Sequence, residues 1–422
     1  MPSGFFLIIF CATNFTFMRF FLRLFYLLFL VFSSCRSENP LEKIMQSEAP
    51  EIKAIAKAPD EYGIQIRYTQ IDSDAQGTPR FRSYEYGVDE NRYFYPASTA
   101  KLPIVVLALQ RLRALQKEGV RIDTDTPFRI YDPKTGAPVA VQDSTHPKQR
   151  LTMAHLIKKI FLVSDNDAYN YLFDFLGKDY INTSLQNIGL EAVQIHHKFL
   201  FGADNTHTWE YVFGNDNDTL YHQKSIASTF AKTNEGLKAV KVGKGYIKEN
   251  ALVNAPMDFR EKNRLSIRSL EGIIQRLIFP ESFPKAQRFE LAIADYEFLR
   301  YWMSRTTLES QTPKYTPTDG FYDSYVKFLI FGDSTDPMPK SIRIYNKVGD
   351  AYGTLTDTAY IEDKEAGISF FLTATVYVNE NGIFNDDVYA YDRLGFPFLG
   401  ELGRQVLAWE QKRKQAHRPA LK

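Results

Sequence analysis

The stretch Tyr95-Pro96-Ala97-Ser98-Thr99-Ala100-Lys101-Leu102-Pro103, followed by the apolar run 104–109, decides the architecture that we expect for this chain. It predicts a turn that leads into a helix, with Ser98 opening the helix and Lys101 three residues later. This spacing places both side chains on one face of the first turn. Serine needs a neighbouring base to act as a nucleophile, and a lysine in a partly apolar pocket can serve as that base. Taken alone, the same residues also describe a helix N-cap and a solvated lysine.

Composition excludes several classes of function. The chain has 422 residues, 44% of them hydrophobic, which is enough for one large domain or two. Its net charge of +1 gives no field that would attract nucleic acid. We find no zinc-type Cys/His spacing, no P-loop and no dinucleotide fingerprint, and so expect neither a metal nor an organic cofactor. The two cysteines, Cys11 and Cys35, precede the expected fold, so its stability must come from packing.

The N-terminus has the pattern of a targeting sequence. A basic segment, Met18-Arg19-Phe20-Phe21-Leu22-Arg23, precedes the apolar run 24–32 and the residues Ser33-Ser34-Cys35. This arrangement resembles a bacterial lipobox, which implies a lipoprotein signal peptide over 1–34, a lipid on Cys35 and a tether over 35–40. The protein would then be anchored to a membrane of the cell envelope, facing the periplasm or the surface. An uncleaved anchor helix or a plain secretory signal remains an alternative.

Hydrophobic periodicity predicts an α+β fold. Strands are expected near both chain ends and helices between them, so one antiparallel sheet would form from 41–95 and 339–412 and be flanked by helices. An all-helical part, 96–338, would be inserted, with a less regular insertion at about 201–263 that holds some helix over 225–239. We expect a single domain over 41–412, a polar tail over 413–422 and a monomer. The expected elements are helices at 41–57, 101–116, 151–163, 167–176, 181–188, 265–279, 290–305 and 387–412, and strands at 61–71, 80–86, 341–347, 354–362 and 367–378.

Two further motifs follow the first one in a fixed order. Ser164-Asp165-Asn166 lies in a short break between two expected helices, and Lys347-Val348-Gly349 lies on an expected strand. Each is unremarkable alone, since serine and aspartate are good caps and strand ends often carry lysine and glycine. Together with Ser98-Thr99-Ala100-Lys101, however, they resemble the three motifs of the penicillin-recognising serine hydrolases, most closely the class A β-lactamases. The resemblance covers about 41–200 and 262–412 and implies the α/β sandwich of the β-lactamase/transpeptidase-like fold.

The resemblance implies catalytic roles for four residues. Ser98 would attack a carbonyl and become acylated, and Lys101 would act as its base or help to orient it. Ser164 and Lys347 would relay a proton to the leaving nitrogen. Lys347 would also attract a carboxylate of the substrate.

It also implies a set of binding residues. Asn166 would hold the amide side chain of the acyl group, and Gly349 would let the substrate lie against the strand backbone. The backbone N–H groups of Ser98 and Asp350 would form the oxyanion hole. Asp165 is expected to be a structural helix cap.

Two departures from the family pattern concern hydrolysis. Class A enzymes have a glutamate after the second motif that activates the deacylating water, and Phe199 stands at the matched position here. Other candidate bases lie nearby, although none falls on the pattern: His196, His197, Asp204 and Glu210. Val348 replaces the usual threonine or serine, whose hydroxyl contacts the carboxylate of the substrate.

Three hypotheses follow. The first is an envelope serine hydrolase of the class A β-lactamase type, acting on a β-lactam or a related small-molecule or peptide amide. The second is a D,D-peptidase or penicillin-binding protein with slow deacylation, which the missing glutamate favours. The third is a catalytically weak lipoprotein that uses the fold for binding.

Overall fold

A computed structural model describes residues 39–215 and 217–413. The expected signal peptide, Cys35, most of the tether and the tail beyond 413 lie outside the described residues. Within the described part, no helix is both long and apolar enough to cross a membrane.

The helices and strands that we expected outside the insertion form in the predicted order, with further strands between them. The helices are α1 (Pro40–Met45), α2 (Pro50–Ala56), α3 (Lys101–Lys117), α4 (Met153–Val163), α5 (Asn166–Leu176), α6 (Lys178–Asn187), α7 (Ile267–Ile278), α8 (Ile293–Ser304) and α9 (Phe396–Lys412). The strands are β1 (Gln65–Ser73), β2 (Pro79–Tyr86), β3 (Phe128–Tyr131), β4 (Pro138–Ala140), β5 (Val193–Gln194), β6 (Glu210–Asn215), β7 (Asp218–Gln223), β8 (Lys241–Val242), β9 (Gly245–Lys248), β10 (Ala251–Val253), β11 (Met257–Asp258), β12 (Arg264–Leu265), β13 (Ile342–Ala351), β14 (Thr354–Asp363), β15 (Ile368–Tyr377) and β16 (Ile383–Phe384).

The main sheet joins the two ends of the chain, and the α+β fold is confirmed. Its strand order is β13-β14-β15-β1-β2, with every neighbouring pair antiparallel. Helix α7 covers one face of β14 and β15, and α9 packs on β15 together with α2. Both strands are therefore buried along nearly their whole length.

Alternation along these strands separates two apolar cores. Tyr360 and Phe371 belong to the core on the side of α3 and α7. Their neighbours Ile361 and Phe370 belong to the core beneath α2 and α9. Since successive side chains of a strand point to opposite faces, one pair of strands can close both cores.

Helix α3 lies at the centre of the first core and carries the candidate base at its first position. It packs against α4, α5 and α6, and its side chains from 101 to 109 are all buried. A helix enclosed in this way can be apolar on every side, as the run 104–109 is. Lys101, the candidate base, therefore lies in the protein interior.

The middle of the chain is not all helical, which corrects our expectation. An antiparallel sheet of order β4-β3-β6-β7 lies within it, and β3 and β4 occupy a stretch in which we expected neither a helix nor a strand. The helix expected over 225–239 does not form. There the Asp179 carboxylate accepts hydrogen bonds from the backbone N–H groups of Thr229 (2.8 Å) and Phe230 (3.0 Å). Such side-chain bonds satisfy the backbone locally and compete with a helix.

Candidate active site

The first motif forms a tight turn in front of α3. Ala97–Ala100 is a 3-10 turn, in which residues three apart align, so Ser98 and Lys101 share one side. Ala97 has φ +46°, a left-handed conformation that is uncommon outside glycine. Thr99 secures the turn by donating from its N–H (3.0 Å) and its hydroxyl (2.5 Å) to the carbonyl of Pro96. Ser98 lines a cleft at this turn.

The second motif is the joint between α4 and α5. Ser164 ends α4 in a left-handed conformation, with φ 57° and ψ 39°, which turns the chain sharply. Asp165 then caps α5 by accepting a hydrogen bond from the N–H of Ala168 (2.7 Å), so the expected structural cap is confirmed. The ammonium of Lys159 lies 3.1 Å from the same carboxylate.

The third motif lies on the edge strand β13, against the nucleophile turn. Lys347 is buried, and its Nζ donates to the carbonyl of Val348 at 2.8 Å. At Gly349 a Cβ atom would lie 2.6 Å from the Pro96 carbonyl oxygen and 2.8 Å from the Ser98 nitrogen. The glycine is therefore required by the packing of the strand on the turn, a reason that the sequence did not reveal.

The side chain of Val348 does not reach the cleft. It is 1% exposed and belongs to the apolar core beneath α2 and α9. The residue at this position thus offers a substrate neither a hydroxyl nor an accessible surface.

The three motifs meet at the Ser164 hydroxyl. Its Oγ accepts from Lys347 Nζ at 2.8 Å and from Lys101 Nζ at 3.2 Å. Lys101 Nζ also donates to Asn166 Oδ1 at 2.6 Å and to the carbonyl of Ser164. Because a hydroxyl oxygen can accept two hydrogen bonds while keeping its own proton, Ser164 can donate that proton to a third group. The hydroxyl of Ser98 has no hydrogen-bond partner among the residues that the structure describes.

Burial disfavours the charged, protonated form of both lysines. Lys101 is fully buried, and desolvation together with the nearby charge of Lys347 holds its pKa well below its usual range. Desolvation also lowers the pKa of Lys347 to about 7, against the opposing effect of Asp350 and Asp357. A neutral amine at Lys101 is able to take a proton from a neighbouring hydroxyl.

The cleft beside this cluster has a volume of about 330 Å³. The first two motifs and the residue after the third contribute Ser98, Asn166 and Asp350 to its lining. The chain around the insertion contributes a second wall that includes the fully exposed ring of Phe201. The remaining lining residues are Tyr95, Ala97, His197, Lys198, Phe199, Leu200, Lys262, Ala351 and Tyr352.

Phe199 lies against the candidate base. Its ring centroid is 5.3 Å from Lys101 Nζ, and the ring stacks on Tyr169 with centroids 4.4 Å apart. Its N–H donates to Asn170 Oδ1 at 2.6 Å. Phe199, which the resemblance matches to the family glutamate, is thus held in place by both ring and backbone, and it presents no carboxylate to Lys101.

Three of the four alternative bases do not line the cleft. His196 contacts the side chain of Gln194 and the ring of Phe230. Glu210 pairs with His222 at 3.1 Å. Asp204 accepts hydrogen bonds within its own turn.

His197 lines the cleft but is poorly placed to act as a base. Its Nδ1 lies 2.8 Å from the carbonyl of Lys198, which leaves Nε2 as the unprotonated nitrogen. Nε2 is buried without a hydrogen-bond partner, and desolvation lowers the pKa of the ring to about 4. In the described part of the chain, no group of three His, Cys, Asp or Glu side chains could hold a metal ion.

Comparison with known proteins identifies the family of this chain. The profile of the β-lactamase enzyme family matches residues 49–387, whereas no curated protein sequence matches the chain. Similar solved structures include a β-lactamase from Sphaerobacter thermophilus DSM 20745, with 15% identity and a TM-score of 0.46 over 87% of this chain and 99% of that one. A β-lactamase from Xanthomonas campestris has 16% identity and a TM-score of 0.46, over 84% of this chain and 96% of that one. The protein PBP-A has 17% identity and a TM-score of 0.46, over 89% of this chain and 97% of that one. Because the family profile spans most of the sequence, the chain belongs to the β-lactamase enzyme family.

Proposed function

We propose that this protein is a serine hydrolase that cleaves an amide or β-lactam through an acyl-enzyme on Ser98. The observation that carries the proposal is the Ser164 hydroxyl, which accepts hydrogen bonds from both Lys101 and Lys347 next to the cleft that Ser98 and Asn166 line. A binding protein would not need two buried lysines with lowered pKa values around one serine.

Acylation follows from these contacts. When neutral, Lys101 has two N–H donors and so gives up one of the three hydrogen bonds that its ammonium donates here. Its lone pair then takes the proton of Ser98 as the Ser98 Oγ bonds to the carbonyl carbon, and the backbone N–H groups of Ser98 and Asp350 stabilise the oxyanion. When the carbon–nitrogen bond breaks, Ser164 gives its proton to the leaving nitrogen. It regains a proton from protonated Lys101 or from Lys347 through the hydrogen bonds already present.

Deacylation is the step that this site supports least. A water molecule needs a base near the ester of the acyl-enzyme, and Phe199, which the resemblance matches to the family glutamate, puts a ring and not a carboxylate 5.3 Å from Lys101 Nζ. His197 cannot replace that base, because its free nitrogen is buried. We therefore favour a D,D-peptidase or penicillin-binding type of activity, with a long-lived β-lactam adduct, over efficient β-lactam hydrolysis.

Intact-protein mass spectrometry of the detergent-solubilised full chain tests both parts of the proposal. After mixing with a penicillin, we expect a lasting adduct that is absent in Ser98→Ala, with little hydrolysed product. Rapid product with little adduct would instead identify a β-lactamase with another deacylation base. If neither penicillin nor a fluorophosphonate modifies Ser98, the catalytically weak binding protein is the correct hypothesis.

We also propose that Cys35 carries the lipid that holds the enzyme at the cell envelope. The support is the basic, apolar and small-residue pattern that precedes this cysteine. The following polar residues 36–40 would then separate the folded part from the bilayer.

A further inference from the structure

Lys262 is the cation of the cleft lining whose ammonium has no partner in the described part of the chain. The ammonium groups of Lys101 and Lys347 are buried, and both donate to the hydroxyl of the second motif. Lys198 also lines the cleft, but its ammonium pairs with the buried carboxylate of Asp174. The side chain of Lys262, in contrast, makes neither a hydrogen bond nor an ion pair with any described residue. Its positive charge is therefore free to meet a substrate.

Backbone hydrogen bonds hold Lys262 beside the wall of the cleft. Its N–H donates to the carbonyl of Phe259 at 3.1 Å, and its carbonyl accepts from Asn234 Nδ2 at 2.8 Å. The side-chain oxygen of the next residue, Asn263, accepts from the N–H of His197 at 3.2 Å. Lys262 and the cleft-lining segment that begins at His197 therefore belong to one hydrogen-bonded unit.

The charge of Lys262 acts inside the cleft. Desolvation, and after it the charge of Lys262, lowers the pKa of the His197 ring, which lines the same cleft. The Lys262 side chain is itself partly buried, and this desolvation lowers its pKa against the opposing effect of the exposed Glu261. The charge of Asp350, the acidic residue of the lining, acts instead on the two catalytic lysines. An anion that enters the cleft beside Lys262 thus meets an ammonium that no carboxylate of the lining neutralises.

The position of Lys262 also defines which half of the substrate it meets. In the proposed reaction, the leaving nitrogen takes its proton from Ser164, which is hydrogen-bonded to Lys347. Of the described residues, the lining of the cleft includes neither of these two, but it includes Asn166, which is expected to hold the amide of the acyl group. Lys262 shares its wall of the cleft with Phe199–Phe201. This part of the cleft therefore receives the acyl half of the substrate.

We propose that Lys262 selects substrates whose acyl group carries an anionic substituent, such as a terminal carboxylate. This inference rests on the proposed acyl-enzyme function and names the substrate class of the same site. A partly desolvated ammonium without a partner gains a charge-assisted hydrogen bond from such a substituent, and it repels a cation at the same position. The preference concerns the acyl half alone, so it is compatible with a second carboxylate on the leaving group that Lys347 attracts.

Three penicillins that differ only at the end of the acyl chain provide the test. The amino group of the penicillin nucleus carries a glutaryl chain, the terminal amide of that chain, or an aminopentanoyl chain of matching length. The compounds thus end in a carboxylate, a neutral amide or an ammonium, while the leaving group stays the same. The second-order rate constant for acylation of the full-length protein in a non-ionic detergent is measured by intact-protein mass spectrometry and by loss of the β-lactam.

Each rate constant is divided by the rate of hydroxide hydrolysis of the same compound, which removes differences in intrinsic reactivity. We expect the glutaryl compound to acylate the protein at least about tenfold faster than the aminopentanoyl compound, with the neutral amide between them. About tenfold higher ionic strength should reduce this ratio, because salt screens charges that water can reach.

Variants assign the preference to one residue. Lys262→Met and Lys262→Gln should each reduce the ratio of the glutaryl to the aminopentanoyl compound to about one, whereas Lys262→Arg should retain a preference for the glutaryl compound. Circular dichroism checks that each variant folds. Lys53→Met removes an exposed positive charge from α2 and should keep the wild-type ratio.

The outcomes separate the failure of this inference from the failure of the proposed function. Acylation at equal rates by all three compounds, a preference for the aminopentanoyl compound, or a wild-type ratio in both Lys262→Met and Lys262→Gln would overturn the role of Lys262 alone. If none of the three penicillins acylates Ser98, the proposed acylation by a β-lactam is wrong, and this inference is wrong with it.

Discussion

Replacing Gly349 with alanine tests whether the nucleophile turn must rest directly on β13. The new Cβ would lie 2.6 Å from the Pro96 carbonyl oxygen, 2.7 Å from the Thr99 nitrogen and 2.8 Å from the Ser98 nitrogen. Ordinary contacts of this kind begin at 3.4 Å, so the turn or the strand must move by roughly 0.8 Å, the difference between 3.4 Å and the shortest of these distances, 2.6 Å. All three atoms belong to the backbone, and no side-chain rotation can relieve the overlap.

We expect this movement to affect acylation more than folding. A misplacement of about 1 Å can lower a rate by about 10²-fold, because the nucleophile leaves its attack geometry. Overpacking of this size typically costs about 1–3 kcal/mol of the free energy of unfolding. Labelling of Ser98 by a fluorophosphonate should therefore slow by about a hundredfold, while urea unfolding should report a folded protein of reduced stability.

Gly272→Ala is the matched control. Gly272 lies within α7, and the nearest atom to an added Cβ is Nη1 of Arg276 at 3.2 Å, in a guanidinium that is hydrogen-bonded to the carbonyls of Gly272, Gln287 and Ile188. The added methyl group displaces that guanidinium by a few tenths of an ångström and not the nucleophile turn, so this variant should label normally whatever its change in stability. Labelling of Gly349→Ala within about threefold of the wild-type rate would refute the proposed packing requirement.

Three further predictions concern deacylation, pH dependence and anchoring. Phe199→Glu should shorten the lifetime of the penicillin adduct by at least about tenfold by adding a base, whereas Phe199→Gln should not. Burial lowers the pKa of Lys327 to about 7, so between pH 7 and 10 the unfolded chain holds a proton that the folded chain has lost. The free energy of unfolding should therefore rise by about 2 kcal/mol from pH 7 to 9 on account of this lysine. Urea unfolding of Lys327→Met should show a rise that is smaller by that amount. A rise equal to that of the wild type would contradict the assignment of this pH dependence to Lys327. Cys35→Ser should abolish incorporation of labelled palmitate and release the protein from the membrane fraction, and retention there would support an uncleaved anchor helix.

The main sheet could be predicted from the sequence because its strands carry strong local signals. Part of the structure in the middle of the chain could have been predicted as well. β14 and β15 are long, apolar and bounded by turns. The hairpin of β3 and β4 also has a turn signal that we did not use, Asp132-Pro133-Lys134-Thr135-Gly136, in which Asp132 accepts from the backbone and Gly136 has φ +69°. The missing helix at 225–239 depends on Asp179, about fifty residues earlier, and no local pattern could reveal it.

Motif order predicted which residues would meet, but not the reasons for their contacts. The convergence of Lys101 and Lys347 on Ser164 agrees with the roles that the resemblance implied. The requirement for Gly349 arises from a close approach between backbones about 250 residues apart in sequence, which only the folded chain shows.

Phe199 links the two halves of the proposed reaction. Its ring lies 5.3 Å from Lys101 Nζ and carries no negative charge, so it leaves in place the burial that lowers the pKa of Lys101 and favours the neutral amine needed for acylation. The same ring excludes a carboxylate from the place where a deacylating water would need one. A glutamate there should therefore raise the pKa of Lys101 and slow acylation near neutral pH, even as it speeds deacylation. Opposite changes in the two rates, measured separately in Phe199→Glu, would show that this one side chain favours capture of the acyl group over its release.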